Sequence, residues 1–315
     1  MNIRTAKDIS THLRKTPDII QVANNVAAML SKQSNSFTPN ELLEIGLSRV
    51  EAGKDYKKND FFDQALRIAA TSQIIAECYF GIAVTARELK ELNKASTYFN
   101  LALDECEKFK LEDEEEYLRI KSNVLKNRGI YYLVQRDNQQ AAEDFNQSIF
   151  VAQQSPSKLR GFIPSATAYY ALALCKTGRY SEGFWQFEIA DQLYCEYPKA
   201  ERLVSMDYAL FFVLKGRVYL ELNWLEKAIK VLEKGYQLRF DNLQTEKNAY
   251  KIIGDDYVPS RMGAVKGLLE EARKKLVEKT TKPLSRKATQ ALFRPSPKLD
   301  ILSDLPSNII YHVGC

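Results

Sequence analysis

The sequence predicts an all-α fold built from stacked antiparallel helix pairs, and three observations carry that prediction. Ala, Leu, Lys, Glu, Gln and Arg dominate its 315 residues, while glycine (13) and proline (10) are few. The favoured residues are those that lose least on entering a helix. Small and bulky side chains recur in step between residues 76 and 238. Finally, helix-start chemistry appears where a helical segment has to begin.

The recurrence is the strongest of these. A small residue midway along one helix is followed twelve positions later by a second small residue just past a turn. A large apolar residue comes four further on, and another small one three after that. The sets are Ala83, Ala95, Phe99 and Ala102; Gly129, Ala141, Phe145 and Ser148; Ala171, Gly183, Phe187 and Ala190; Gly216, Ala228, Leu232 and Gly235. Antiparallel helices joined by a tight turn approach closely only where side chains are small. The large residue one turn along fills the space between neighbours, and stacked pairs bury a core that no single pair could bury.

Taken in order, residues 5–15 and 17–32 predict two short helices, the second with Thr16 as N-cap and Pro17 at its first position. A Ser/Gln/Asn-rich break at 31–36 follows. Thr38, Pro39, Asn40 and Glu41 then form a capping box with proline at the first helical position, which predicts a helix over 39–54. Gly53, Tyr56 and Ala65 suggest a divergent upstream unit whose spacing is too short for a regular repeat. Pro156 and Pro198 fall after the second and third units, where one pair hands over to the next. After Leu238 a separate helix is expected over 244–253, then a Gly-Asp-Asp turn. A last amphipathic helix over 259–279 sets Met262, Val265, Leu268, Leu269, Ala272 and Leu276 on one face, which suits a terminal cap. Prolines at 283, 295, 297 and 306 predict a largely disordered tail. The predicted divisions are an N-terminal helical segment (1–36), a repeat domain (37–279) and a basic tail (280–315).

The paired stretches Lys126-Asn-Arg-Gly-Ile-Tyr-Tyr with Gln140-Ala-Ala-Glu-Asp-Phe, and Lys215-Gly-Arg-Val-Tyr with Glu226-Lys-Ala-Ile-Lys-Val-Leu, resemble the tetratricopeptide repeat family. The resemblance covers roughly 76–238 and implies a right-handed superhelix, an α-solenoid, whose concave face binds protein segments. Anchors Ala95, Ala141, Gly183 and Ala228 stand 46, 42 and 45 residues apart, against about 34 in the standard unit. This is the long-repeat variety, found in peptide-responsive regulators and in scaffold proteins. Chaperone-binding members hold a terminal carboxylate with a set of Lys, Asn and Arg. Here Lys126 is followed by Ile130 where asparagine is required, with Tyr169, Leu210 and Leu214 at the other positions, so that clamp is not expected.

The inventory argues against an enzyme. The two histidines, His12 and His312, lie near the ends, and no metal-ligand cluster, phosphate-cradling loop or nucleophile elbow is present. No cofactor is expected. Five dispersed cysteines (Cys78, Cys106, Cys175, Cys195, Cys315) read as free thiols in a reducing compartment. Residues 1–15 carry charges throughout, unlike a signal peptide, and no apolar run is long enough to span a membrane. A cytoplasmic location, or a nuclear one in a eukaryote, is expected.

Residues one turn either side of each small mid-helix residue are expected to face the concave side. They are Phe80, Val84 and Arg87; Lys126, Asn127, Ile130 and Leu133; Tyr169, Leu172 and Lys176; and Val213, Arg217 and Glu221. Apolar patches with interspersed cations suit an amphipathic helix or an extended acidic-apolar peptide. The function expected is a non-catalytic adaptor holding a peptide segment of a partner. An alternative is a peptide- or signal-responsive regulator with residues 5–32 as its output surface. The acidic run 112–116 reads as favourable charge at a helix start. Residues 273–298 hold nine cations against Glu278; this stretch serves as a solubilising linker or as a weak contact for nucleic acid or an anionic surface. Leu302-Ser-Asp-Leu-Pro-Ser-Asn-Ile-Ile resembles the opening of an F-box, which would imply ubiquitin-ligase recruitment.

Overall fold

The computed structural model describes residues 37–52, 61–155, 161–197, 206–252 and 260–281. The predicted helices over 5–15 and 17–32, His12, His312, Cys315, Pro156, Pro198, the Gly-Asp-Asp turn and the tail lie outside the described residues. Contacts divide the chain into two units, Met1–Arg273 and Lys274–Cys315. In the second, the described residues are the end of one helix, where Thr280 Oγ1 donates to the carbonyl oxygens of Leu276 and Val277 at 3.1 and 2.9 Å.

The first unit is an all-α stack. Its helices are α1 (Pro39–Ala52), α2 (Phe61–Ile68), α3 (Ser72–Glu88), α4 (Leu92–Lys108), α5 (Glu114–Gln135), α6 (Asn138–Gln153), α7 (Ile163–Lys176), α8 (Tyr180–Cys195), α9 (Met206–Glu221) and α10 (Leu225–Ile252). The helix Ser260–Thr281, α11, begins in this unit and continues into the second. No strand occurs among the described residues. Helices pack as consecutive pairs, α1 with α2, α3 with α4, α5 with α6, α7 with α8 and α9 with α10, and each pair packs on the next.

The recurring small residues lie where the pairs meet. All sixteen residues of the four sets are buried. A Cβ placed on Gly129 would sit 2.8 Å from the Phe145 ring, and one on Gly216 2.6 Å from Leu232 Cγ. The small residue of one helix thus receives the large residue of its partner.

A further pair packs upstream of the four sets. The interval of 16 residues from small to large residue, seen from Gly129 to Phe145, also separates Gly46 from Phe62. Phe62 is fully buried, and a Cβ on Gly46 would meet its ring at 2.8 Å. The described pair is α1 with α2, with Gly46 facing Phe62; Gly53 and Tyr56, on which the upstream unit was expected, lie outside the described residues. At the start of α1 the capping box forms reciprocally: Glu41 N donates to Thr38 Oγ1 at 3.3 Å, and Thr38 N donates to Glu41 Oε2 at 3.0 Å.

Two further boundaries differ. α10 runs unbroken from Leu225 to Ile252, so the helix expected separately over 244–253 is its continuation; neither glycine nor proline interrupts the stretch from Leu238 to Ile252. α11 extends to Thr281 and buries Val265, Leu269 and Ala272. The acidic run opens α5, where the Asp113 carboxylate accepts from Glu116 N at 3.0 Å. Among the described residues no helix is long and apolar enough to cross a membrane, and no group of acidic, His or Cys side chains could hold a metal ion.

Candidate functional site

The first helices of the four regular pairs, α3, α5, α7 and α9, line one cavity of about 920 Å³. Each of the eleven residues Phe80, Val84, Arg87, Lys126, Asn127, Ile130, Tyr169, Leu172, Lys176, Val213 and Arg217 is in its wall, as is Leu133. They converge because residues spaced three, four and seven apart share one helix face. Glu221 is not in the wall; it pairs with Lys176 at the end of the neighbouring helix.

The floor is apolar and partly pre-organised. Tyr169 is half-buried and stacks on Phe145, with centroids 5.4 Å apart and planes at 16°. Leu172, Val213 and Leu214 are buried, and Phe80, Ile130, Leu133 and Leu210 are partly so. Val134 is exposed on the wall.

The polar groups tie neighbouring pairs together. Arg87 Nη1 donates to Asn127 Oδ1 and to its backbone oxygen at 3.2 and 3.3 Å, while Nη2 donates to Glu88 at 2.7 Å. Arg119 donates to Glu77 on α3 and to Glu116 on its own helix. Burial works against its charge, but the two carboxylates outweigh that and raise its pKa. Lys126 is buried with Nζ 4.2 Å from the Phe162 ring centroid, a cation–π contact. Arg217 is exposed, and among the described residues its side chain has no ion-pair partner.

Sequence reasoning missed part of the wall. Glu77 and Arg119 lie nearer the helix starts than the positions considered, Val265 comes from α11, and Arg136 lies in a turn. A signal for Arg136 was available: Lys90, Arg136, Gly178 and Asn223 each stand five residues before the second small residue of their set. All four have positive φ, between 58° and 85°.

A sequence profile of the tetratricopeptide repeat matches residues 76–109, which span most of α3 and all of α4, and residues 210–242, which span most of α9 and the first part of α10. The chain carries tetratricopeptide repeats. The two matches fall on the first and fourth helix pairs, and the pairs between them share the same sixteen-residue interval. Comparison with curated proteins gives no match. Among solved structures, a chain in the crystal structure of the APC/C hetero-tetramer Cut9-Hcn1 is similar at 14% identity, with a TM-score of 0.34 over 86% of this chain and 49% of that one. The chain thus spans about half the length of that neighbour. Tetratricopeptide repeats build protein-interaction scaffolds, and at that coarse level the chain is one.

Proposed function

We propose that the chain is a non-catalytic scaffold that holds a peptide segment of a partner protein in the cavity along α3, α5, α7 and α9. The observation that carries this reading is the convergence of side chains from four successive pairs on one continuous apolar floor bordered by cations. A floor shared by four pairs offers side-chain sockets in succession, which suits a chain-like ligand more than a compact one. Tyr169, already held against Phe145, gives an aromatic anchor that loses little freedom on binding. Ile130, Tyr169, Leu210 and Leu214 put apolar groups where a carboxylate clamp needs polar ones, so the segment is not held by that device. The regulator and F-box readings rest on residues 5–32 and 302–310, outside the described residues.

A photo-crosslinking amino acid tests the site. Val134 is exposed inside the cavity, and Phe150 is exposed outside it. Crosslinks from position 134, mapped by mass spectrometry to one short continuous segment of a partner and missing from position 150, are expected. Equal labelling from both positions, or crosslinks scattered over a partner's folded surface, would refute the cavity as the site.

A further inference from the structure

We infer that the segment taken by the cavity is acidic, with its carboxylates laid along one edge and its apolar side chains on the floor. This rests on the peptide-holding role proposed above and names the chemistry of the peptide. The first helices of successive pairs run in the same direction. Glu77 and Arg87 of α3 bond to Arg119 and Asn127 in the same order along α5. The last residues of α7 and α9, Lys176 and Glu221, bond to each other. The C-terminal ends of these helices therefore form one edge of the cavity.

That edge is cationic. Arg87, Arg136, Lys176 and Arg217 each lie within the last five residues of their helix or at its cap, and all four are in the cavity wall. Glu88 and Glu221 at the same ends are bonded to Arg87 and Lys176. Arg136 and Arg217 are exposed, and among the described residues no carboxylate pairs with either. Over the whole wall, seven Lys and Arg stand against three Asp and Glu, whereas the full chain is nearly balanced at 45 to 40. Cations near helix C-termini interact favourably with the helix dipole, and this accounts for the stability of the arrangement. It does not account for two exposed guanidinium groups beside an apolar floor. Guanidinium binds carboxylate in a bidentate fork, and the floor beside it accepts aliphatic or aromatic side chains. Nucleic acid would bring flat bases that stack on aromatic faces, whereas this floor is mostly Val, Leu and Ile, with Phe80 and Tyr169 as its aromatics.

The test uses the full chain and a library of random 12-residue peptides displayed on phage. The control is the double variant Arg136→Gly, Arg217→Gln. Arg136 occupies the same positive-φ register as Gly178, so glycine relaxes that turn while removing the charge, and lost binding cannot be put down to unfolding. Enriched peptides are expected to carry two or more Asp or Glu among Leu, Ile or Phe. A fluorescein-labelled enriched peptide should bind the double variant about tenfold more weakly, about 1.4 kcal/mol. Enrichment of neutral or basic peptides, or equal affinity for both proteins, would overturn the acidic preference and leave the peptide site standing. Displacement of the peptide by a 20-nucleotide single strand at equal concentration would overturn it in favour of a nucleic-acid ligand. No enrichment at all would remove both the preference and the site.

Discussion

At the scale of single residues, the fold depends on side chains that are missing. Gly183 opens the packed face of α8, and a Cβ there would lie 2.3 Å from Cys175 Sγ and 2.9 Å from the Ala171 carbonyl oxygen. The thiol could turn aside, but the backbone oxygen of α7 cannot. Gly183→Ala would gain about 1 kcal/mol of helix propensity and lose about 1–3 kcal/mol to overpacking. The clash wins, and a net loss of stability is expected. Gly267 on α11 is the control, being exposed with nothing within 4 Å of its Cβ position. Gly267→Ala should stabilise by about 0.5–1 kcal/mol. Urea midpoints of the two variants should move in opposite directions; a shift in the same direction would mean that helix propensity alone, or packing alone, governs both sites. Cys175 belongs to the same packing. Burial, with Glu221 adding to it, pushes its pKa up to about 12, so at neutral pH it is a protonated, space-filling thiol.

At the scale of elements, the hairpin turns repeat as closely as the helices do. Glu91, Asp137, Arg179 and Trp224 each donate a backbone N–H to the carbonyl five residues back, at 2.8–2.9 Å. The positive-φ residue just before each donates to the carbonyl three back, at 3.0–3.2 Å. This is the Schellman termination, which ties up the last carbonyls of the first helix and turns the chain sharply into the second. The register favours glycine, yet only Gly178 is one. Lys90→Gly should therefore stabilise by about 1 kcal/mol, and Gly178→Ala should destabilise by about as much. Nothing lies within 4 Å of the Gly178 Cβ position, so that loss would be conformational alone. Denaturant midpoints with unchanged slopes would show it; no change at Lys90 would place the strain elsewhere. These turns also explain what could and could not be read from the sequence. Cavity residues on helix faces were legible because they keep a fixed offset from small residues whose size is set by close packing. Arg136 was legible only through its register, five residues before Ala141 as Gly178 is before Gly183, and not through its own residue type, because a glycine is what usually marks such a turn. The first pair is legible in the interval from Gly46 to Phe62, because close packing preserves it. The length of α10 was underestimated because Leu238 ends the repeat pattern without ending the helix.

At the scale of the Met1–Arg273 unit, the core is divided along the chain. One cluster of buried side chains runs from Ala76 to Val151, and another from Ala168 to Leu238. A smaller one, made of Ala141, Ala142, Phe145 and Ala173, joins α6 to α7 between them. Phe145 is the hinge of that joint, since its ring fills the space left by Gly129 and stacks on Tyr169. In a repeat stack, stability is close to a sum of unit terms and nearest-neighbour interfaces, and cooperativity survives only while the interfaces are strong. Phe145→Ala removes the joint at a cost of about 3–5 kcal/mol. The chain supplies its own probe of the outcome, because both tryptophans, Trp185 and Trp224, lie on the C-terminal side of the joint. Their fluorescence reports that side alone, while far-UV circular dichroism reports helices on both sides. In the native chain the two urea curves should coincide. In Phe145→Ala the dichroism should begin to fall first, because the second pair loses its central side chain while the packing around Phe187 and Phe211 is untouched. Curves that still superimpose would mean that cooperativity does not pass through this joint. The cavity, which crosses it with Ile130 on one side and Tyr169 on the other, would then owe its continuity to other contacts.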